Sequence, residues 1–156
     1  MTATVGAVTF AISIDTEAWR RHAEAVRDRI HAADAALIPV VKGNGSGLGM
    51  EFLASEVASL GLRAIAVGTI HEVPTIVDAF DGDIVVLEPV DPRDADAVRE
   101  WAQFAGTDVD ARLIRTVAST EGLDHVLDTH EQPRIILEGR TSMRRFGFDG
   151  PTLRET

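Results

Sequence analysis

The sequence contains no cysteine, which excludes disulfides, thiolate metal sites and a cysteine nucleophile. Basic residues are few. Against 25 Asp and Glu stand 15 Lys and Arg, and the formal net charge of −10 argues against any domain-wide attraction to nucleic acid or to an anionic membrane. No run approaches the roughly 18 consecutive apolar residues of a membrane helix. The first ten residues carry neither a basic segment nor a sustained apolar one, so no secretory signal is read there and a cytoplasmic protein is expected. What is present is ordinary: 45% hydrophobic and 26% charged over 156 residues, the composition and length of one globular domain, taken as residues 1–156.

The apolar spacing predicts strands alternating with helices. VTFAISI (8–14) reads as a strand, and Asp15 as the cap of a helix with Trp19, Ala23, Val26 and Ile30 on one side. ALIPVV (36–41) is a short continuous apolar run, the mark of a strand buried on both faces. A glycine-rich turn leads from it to a helix carrying Met50, Leu53, Val57 and Leu60, with Gly61 as its stop. RAIAV (63–67) is the next strand, and Ile70, Val73, Val77 and Phe80 mark a helix. After the strand DIVVL (83–87), Asp91-Pro92 reads as a cap and first-turn proline for a helix with Val98 and Trp101. A weaker strand at 113–117, a helix at 119–127, the strand RIIL (134–137) and a helix opening at Asp149-Gly150-Pro151 complete the series.

Alternation at roughly 20 to 28 residues per unit signifies an α/β fold, a parallel sheet with helical crossovers. Two architectures fit it: an open doubly wound sheet, or part of a (β/α) barrel of the TIM type. A closed barrel has eight strands, and about five βα units are present here, so such a barrel would be incomplete and its open edges would invite association.

The strongest local signal is PVVKGNGSGLG (39–49). Lys42 stands at the carboxyl end of a strand, where barrel enzymes keep their reactive groups, and glycines 43, 45, 47 and 49 lead into a helix. A partly desolvated lysine there suits Schiff-base chemistry with a carbonyl compound, and a helix N-terminus beyond it suits an anion. On its own such a turn is more often a plain turn than a phosphate cradle. A dinucleotide site would want an acidic residue ending the second strand, where Val67-Gly68-Thr69 stands instead. Nor is it a Walker loop, because the lysine precedes the glycines. His71 and Glu72 read as surface or helix-capping residues. His125 and His130, with Asp124 and Asp128 nearby, match no familiar metal spacing, and no metal is expected.

VVKGNGSGLG resembles the VVKANAYGHG signature of the alanine racemase family. ISIDTEAWRRHAEAVR resembles that family's opening segment, in which a strand from the second domain leads into the first barrel helix. LGLRAIAVGTIHEV (60–73) and VLEPVDPRDADA resemble its next two strands, and RTSMRRFGF (140–148) resembles its DTGMxRLGF. The likeness implies the N-terminal portion of a pyridoxal 5'-phosphate barrel with an N-terminal strand from a second domain. It implies an isomerase that interconverts L- and D-amino acids, with alanine the first candidate, through an aldimine on Lys42, which also serves as one of two bases. It implies that Arg145 approaches the cofactor's phenolic oxygen and the substrate carboxylate. Glu138 falls where many members have a carbamylated lysine orienting that arginine, which suggests a Glu138–Arg145 pair. Ser46 stands in place of the family's phosphate-binding tyrosine and offers a shorter hydroxyl. Leu48, Arg140 and Ser142 also depart from the family pattern. The chain has no tyrosine, so it cannot supply the family's second base. An incomplete barrel leaves sheet edges and apolar faces open, so a homodimer, or association with a complementary segment, is expected. An inactive cofactor-binding or self-association module is the alternative, and decarboxylases, aldolases and cofactor carriers share the barrel.

Overall fold

The structure, a computed structural model, describes residues 13–155 and divides into two compact units, one ending at Ala36 and the other beginning at Leu37. In the first, α1 (Thr16–His31) starts where Asp15 accepts the Ala18 N–H at 2.9 Å. Trp19, Ala23, Val26 and Ile30 form its half-buried stripe, as their spacing predicts. The strand expected at 8–14 lies largely outside the described residues.

The second unit is built on a parallel sheet of β1 (Ala64–Val67), β2 (Asp83–Pro89), β3 (Leu113–Val117) and β4 (Ile135–Leu137), in the order β1-β2-β3-β4. Each strand lies beside the next in sequence. A doubly wound sheet reverses its strand order at a switch point, so this order decides between the two architectures in favour of an incomplete α/β barrel. The connections carry α2 (Met50–Ser59) before β1, a 3₁₀ segment (Ile70–Thr75), α3 (Ala95–Phe104), α4 (Thr120–Thr129) and, after β4, α5 (Gly150–Glu155). Ile65, Val67, Ile84, Val86, Leu113 and Val117 are buried in the strands, as expected of a parallel sheet flanked by helices. α2 stops as the sequence indicates. Gly61 takes φ +67°, its N–H reaches Ala58 O and that of Leu62 reaches Val57 O, the paired bonds of a Schellman stop.

Three expectations are corrected. The run 36–41 forms only a parallel bridge, Val40 to Ala66, with Val41 N–H donating to Ala66 O at 2.9 Å. It is not buried on both faces, since Val41 is buried while Ile38 is 42% and Val40 53% exposed. Pro39 has no N–H to extend a ladder, which confines such a segment to a sheet edge. The segment 70–80 is a 3₁₀ turn followed by further turns, because Pro74 removes an N–H from the middle of the would-be helix. As a result Ile76, not Val77, is buried. Finally, Asp94 and not Asp91 caps α3, accepting the N–H groups of Asp96 at 3.1 Å and Ala97 at 3.0 Å. The Asp91 carboxylate is occupied by Arg93, with Nε and Nη2 both at 2.8 Å.

Candidate cofactor site

Lys42 opens a single left-handed turn. Gly43, Asn44, Gly45 and Ser46 all have positive φ, at 62°, 55°, 56° and 57°. L-residues other than glycine enter this region at a cost, and the glycines make such a run feasible. At Gly45 a methyl would sit 2.1 Å from Leu53 Cδ1, so any side chain there would have to push the end of Leu53 away from the turn. The turn thereby packs onto α2 and fixes where the chain leaves Lys42.

Two neighbours hold Lys42 from the other side. A methyl on Gly68, the residue after β1, would lie 3.1 Å from Lys42 Cβ and 3.5 Å from its Cδ, so the lysine stem runs along the glycine backbone. The half-buried Glu72 carboxylate accepts the Gly43 N–H at 2.9 Å and the Gly68 N–H at 2.6 Å. The capping role read for Glu72 is real, since it also accepts the Thr69 N–H at 3.3 Å. Its reach to Gly43 is what the sequence reading missed. A capping pattern signals the local bonds, and nothing in a linear sequence signals a bond to a residue 29 positions away. A second missed signal was legible: Lys42 is the sole lysine of the chain, every other Lys/Arg position being arginine.

Lys42, Glu72, Glu138 and Arg145 line one cleft of about 850 Å³. Its walls are the carboxyl ends of the strands: Gly68 follows β1, Leu87 and Glu88 lie at the end of β2, Thr116 near the end of β3 and Glu138 after β4. That is the end of a barrel where chemistry is built. Arg145 rides on a loop pinned at its base. Arg140 N–H donates to Phe148 O at 2.7 Å, Phe148 N–H to Glu138 O at 2.8 Å, and Arg140 Nε to Gly147 O at 3.2 Å. The structure thus brings Lys42, Glu138 and Arg145 to one cavity. Ser46 is exposed and is not among the residues lining it. Among the described residues no hydrogen bond or ion pair joins Glu138 to Arg145.

His130 belongs elsewhere. On the helical side of β3, the Arg115 guanidinium is buried over the Trp101 ring, 4.8 Å from its centroid, pairs with Asp110 and approaches His130 Nε2 at 2.8 Å. Burial, and then the charge of Arg115, push the His130 imidazole below its ordinary pKa.

A family model described as "Alanine racemase, N-terminal domain" matches residues 14–156. The chain belongs to the alanine racemase family. The alanine racemase of Nitratidesulfovibrio vulgaris (strain DP4) is 34% identical over 124 residues, 77% of this chain and 31% of that protein. Among solved structures, the alanine racemase from E. faecalis matches with a TM-score of 0.69 at 27% identity, over 86% of this chain and 35% of that one. The alanine racemase from Bartonella henselae, solved with covalently bound pyridoxal phosphate, matches with a TM-score of 0.69 over 91% of this chain and 38% of that one. At 22% identity it bears on the fold alone. The chain therefore spans about a third of the length of the alanine racemases it matches. The family match and the sequential strand order agree on the opening arc of an alanine racemase barrel. No described helix is long and apolar enough to cross a membrane.

Proposed function

We propose that this chain carries one half of a pyridoxal 5'-phosphate site for racemising an amino acid, with Lys42 as the cofactor's attachment point. The observation that carries the reading is the meeting of the only lysine with Arg145 and Glu138 in one cleft at the carboxyl ends of the strands. The donor set suits the cofactor. An amine answers an aldehyde, a guanidinium answers a phenolate or a carboxylate, and Gly43 and Gly47 leave open space where side chains would otherwise stand. When bound, the cofactor supplies an aldehyde and an electron-withdrawing ring that acidifies the α-carbon of an amino acid. In this reading the Lys42 Nζ would hold the cofactor's aldehyde carbon until the amine of the amino acid displaces it, and the freed Nζ would then move a proton on one face of the α-carbon. Arg145 orients the substrate carboxylate. Glu138 sets the charge around Arg145, and Ser46 remains a candidate donor to the phosphate, through water. The opposite face needs a second base. With no tyrosine in the chain, a second copy has none to offer either. In this reading that base comes from a complementary segment, and an amino acid and such a partner belong to this proposal, whether or not the chain also forms a homodimer. We also take residues 1–156 as one partial barrel domain of a cytoplasmic enzyme, with alanine the first substrate to try. Support for the domain is a family match running from residue 14 to 156.

The purified chain mixed with pyridoxal phosphate, reduced with borohydride and digested tests the proposal. The only amine competing with Lys42 is the chain's own α-amino group, because there is no other lysine. The expected outcome is a label on the Lys42 peptide that disappears in Lys42→Ala, with D/L exchange appearing only when the complementary segment is added. A label confined to the α-amino group, or none, overturns it. That result would favour the second reading, an association module without turnover, for which the exposure of Val40, Ile136 and Phe146 on the open arc is the supporting observation.

A further inference from the structure

We propose that Glu72 is the positioning residue for Lys42: its carboxylate ties the turn after the lysine to the end of β1 and so sets where the amine stands in the cleft. The inference rests on the reading of Lys42 as the cofactor's attachment point and adds to it a residue that acts only through the lysine.

Glu72 makes more bonds than a cap requires. A cap of the 3₁₀ segment is satisfied by the bonds from Gly68 and Thr69, both on Oε2. Oε1 is spent on Gly43, which lies outside that segment and directly follows Lys42. The carboxylate thus bridges the turn after Lys42 and the end of β1, and each bond it accepts is charge-assisted. The turn it anchors also needs an anchor. Residues 43–46 are all left-handed, a conformation with little intrinsic preference, and Gly43 is the first of them. The side chain of Lys42 meets the same arrangement from below. Its stem lies on Gly68, and a methyl on Gly68 would stand 3.1 Å from Lys42 Cβ and 3.0 Å from Glu72 Oε2. Lysine stem and clamp therefore share one glycine as their floor. With its backbone held through Gly43 and its Cβ and Cδ lying against Gly68, the stem of the exposed Lys42 is confined on one side while its amine stays open to the cleft. A long side chain with no such confinement forfeits more rotamer freedom at the moment of bonding.

The test uses the full chain with Glu72→Gln, Glu72→Asp and Gly68→Ala variants. Glutamine keeps the size but offers only one acceptor, so its amide nitrogen confronts an N–H that the carboxylate accepted. Pyridoxal phosphate is titrated into each variant while the visible absorbance of the chain–cofactor adduct is followed, and the product is reduced and mapped to Lys42. In parallel, amide exchange is read at Gly43 and in β2 and β3 of the cofactor-free chain. Losing a hydrogen bond to a charged group corresponds to about tenfold in an equilibrium. In Glu72→Gln we expect exchange at Gly43 to rise and the adduct's dissociation constant to rise by about that factor, with β2 and β3 still protected. Glu72→Asp, which keeps the carboxylate, should recover part of the loss. Gly68→Ala should weaken the adduct through contact alone. An adduct in Glu72→Gln equal to that of the wild type overturns the proposal, even if Gly43 exchanges faster, because the clamp would then be purely structural. If Glu72→Gln loses protection in β2 and β3, Gly68→Ala decides, and an undiminished adduct there overturns it. Absence of any Lys42 label in the wild type is a different result, which sinks the cofactor reading itself.

Discussion

Gly147 and Gly43 both sit at positive φ, +106° and +62°, yet they bear on the cleft differently. A methyl on Gly147 would stand 2.6 Å from the Arg140 amide nitrogen, 2.7 Å from the Gly139 carbonyl carbon and 2.8 Å from Glu138 O. All three are backbone atoms and cannot step aside. A methyl on Gly43 would meet no atom within 4 Å beyond its chain neighbours. Gly147→Ala adds overpacking to backbone strain, and a loss of about 2 kcal/mol or more is expected. Gly43→Ala carries the left-handed penalty alone, about 1 kcal/mol. Urea unfolding of the two variants checks this, and equal losses would contradict the close approach at Gly147. The Gly147 change should also displace Arg145, two residues before it in the loop pinned to Glu138. This contrast marks what a sequence reveals at the residue scale. The glycines around Lys42 announce themselves by crowding together after a strand. The glycine that positions Arg145 is isolated in sequence, and its necessity comes from a backbone crossing that only the fold creates.

At the scale of elements, the start of α3 shows why local signals were mostly reliable and where they competed. Asp91, Pro92 and Asp94 all carry helix-start chemistry. The winner is the aspartate whose oxygen meets the N–H groups of Asp96 and Ala97. Asp94→Ala should therefore lower stability by about 1 kcal/mol, the usual cost of a lost cap. Asp91→Ala should leave the urea midpoint unchanged, because its carboxylate, held at a pKa of about 2 by its bonds to Arg93, is bonded only to that still more exposed arginine. The reverse ranking would restore Asp91 as the cap. Strands were legible where a run of β-branched residues had neighbours on both edges, as in β2 and β3. The run 36–41 misled because continuous apolarity implies burial on both faces only when something covers both. Pro74 was visible but outweighed by the helical spacing of Ile70, Val73, Val77 and Phe80. Physically it should have prevailed, since a missing N–H cannot be offset by apolar spacing.

Across the molecule, the two ends of the sheet do different work. The carboxyl end holds the cleft with Lys42 and Arg145, whereas charge pairs tighten the amino end and its helical side. Arg134, just before β4, reaches past β3 to Asp83 at the start of β2, with Nη2 to Oδ2 at 2.7 Å, and so straps an arc that is not closed into a barrel. The bond to Arg134 holds the Asp83 carboxyl below its usual pKa against the opposing effect of burial. Nearby, His130 Nε2 faces a guanidinium that is always a donor, so the ring's proton belongs on Nδ1, which lies 2.9 Å from Thr129 Oγ1. Protonating Nε2 would set a cation against Arg115, with Asp110, 3.7 Å away, only partly compensating. Both groups have folded pKa values below their unfolded ones, so the unfolded chain binds more protons and stability falls with falling pH. The loss through His130 begins as pH drops below about 6.5, and the loss through Asp83 follows below about 3.9. The net charge of −10 acts in the opposite sense, since added protons relieve self-repulsion, so a raw pH profile mixes the two effects. The His130→Gln variant separates them: an uncharged side chain at 130 should abolish the extra loss between pH 7 and the folded pKa of His130 and leave the charge-relief trend. Urea midpoints of the two proteins over that range should converge at neutral pH and diverge as it falls, with the wild type dropping faster. Parallel profiles would mean that His130 is protonated as readily in the folded chain as in the unfolded one, against the opposition of burial and of Arg115.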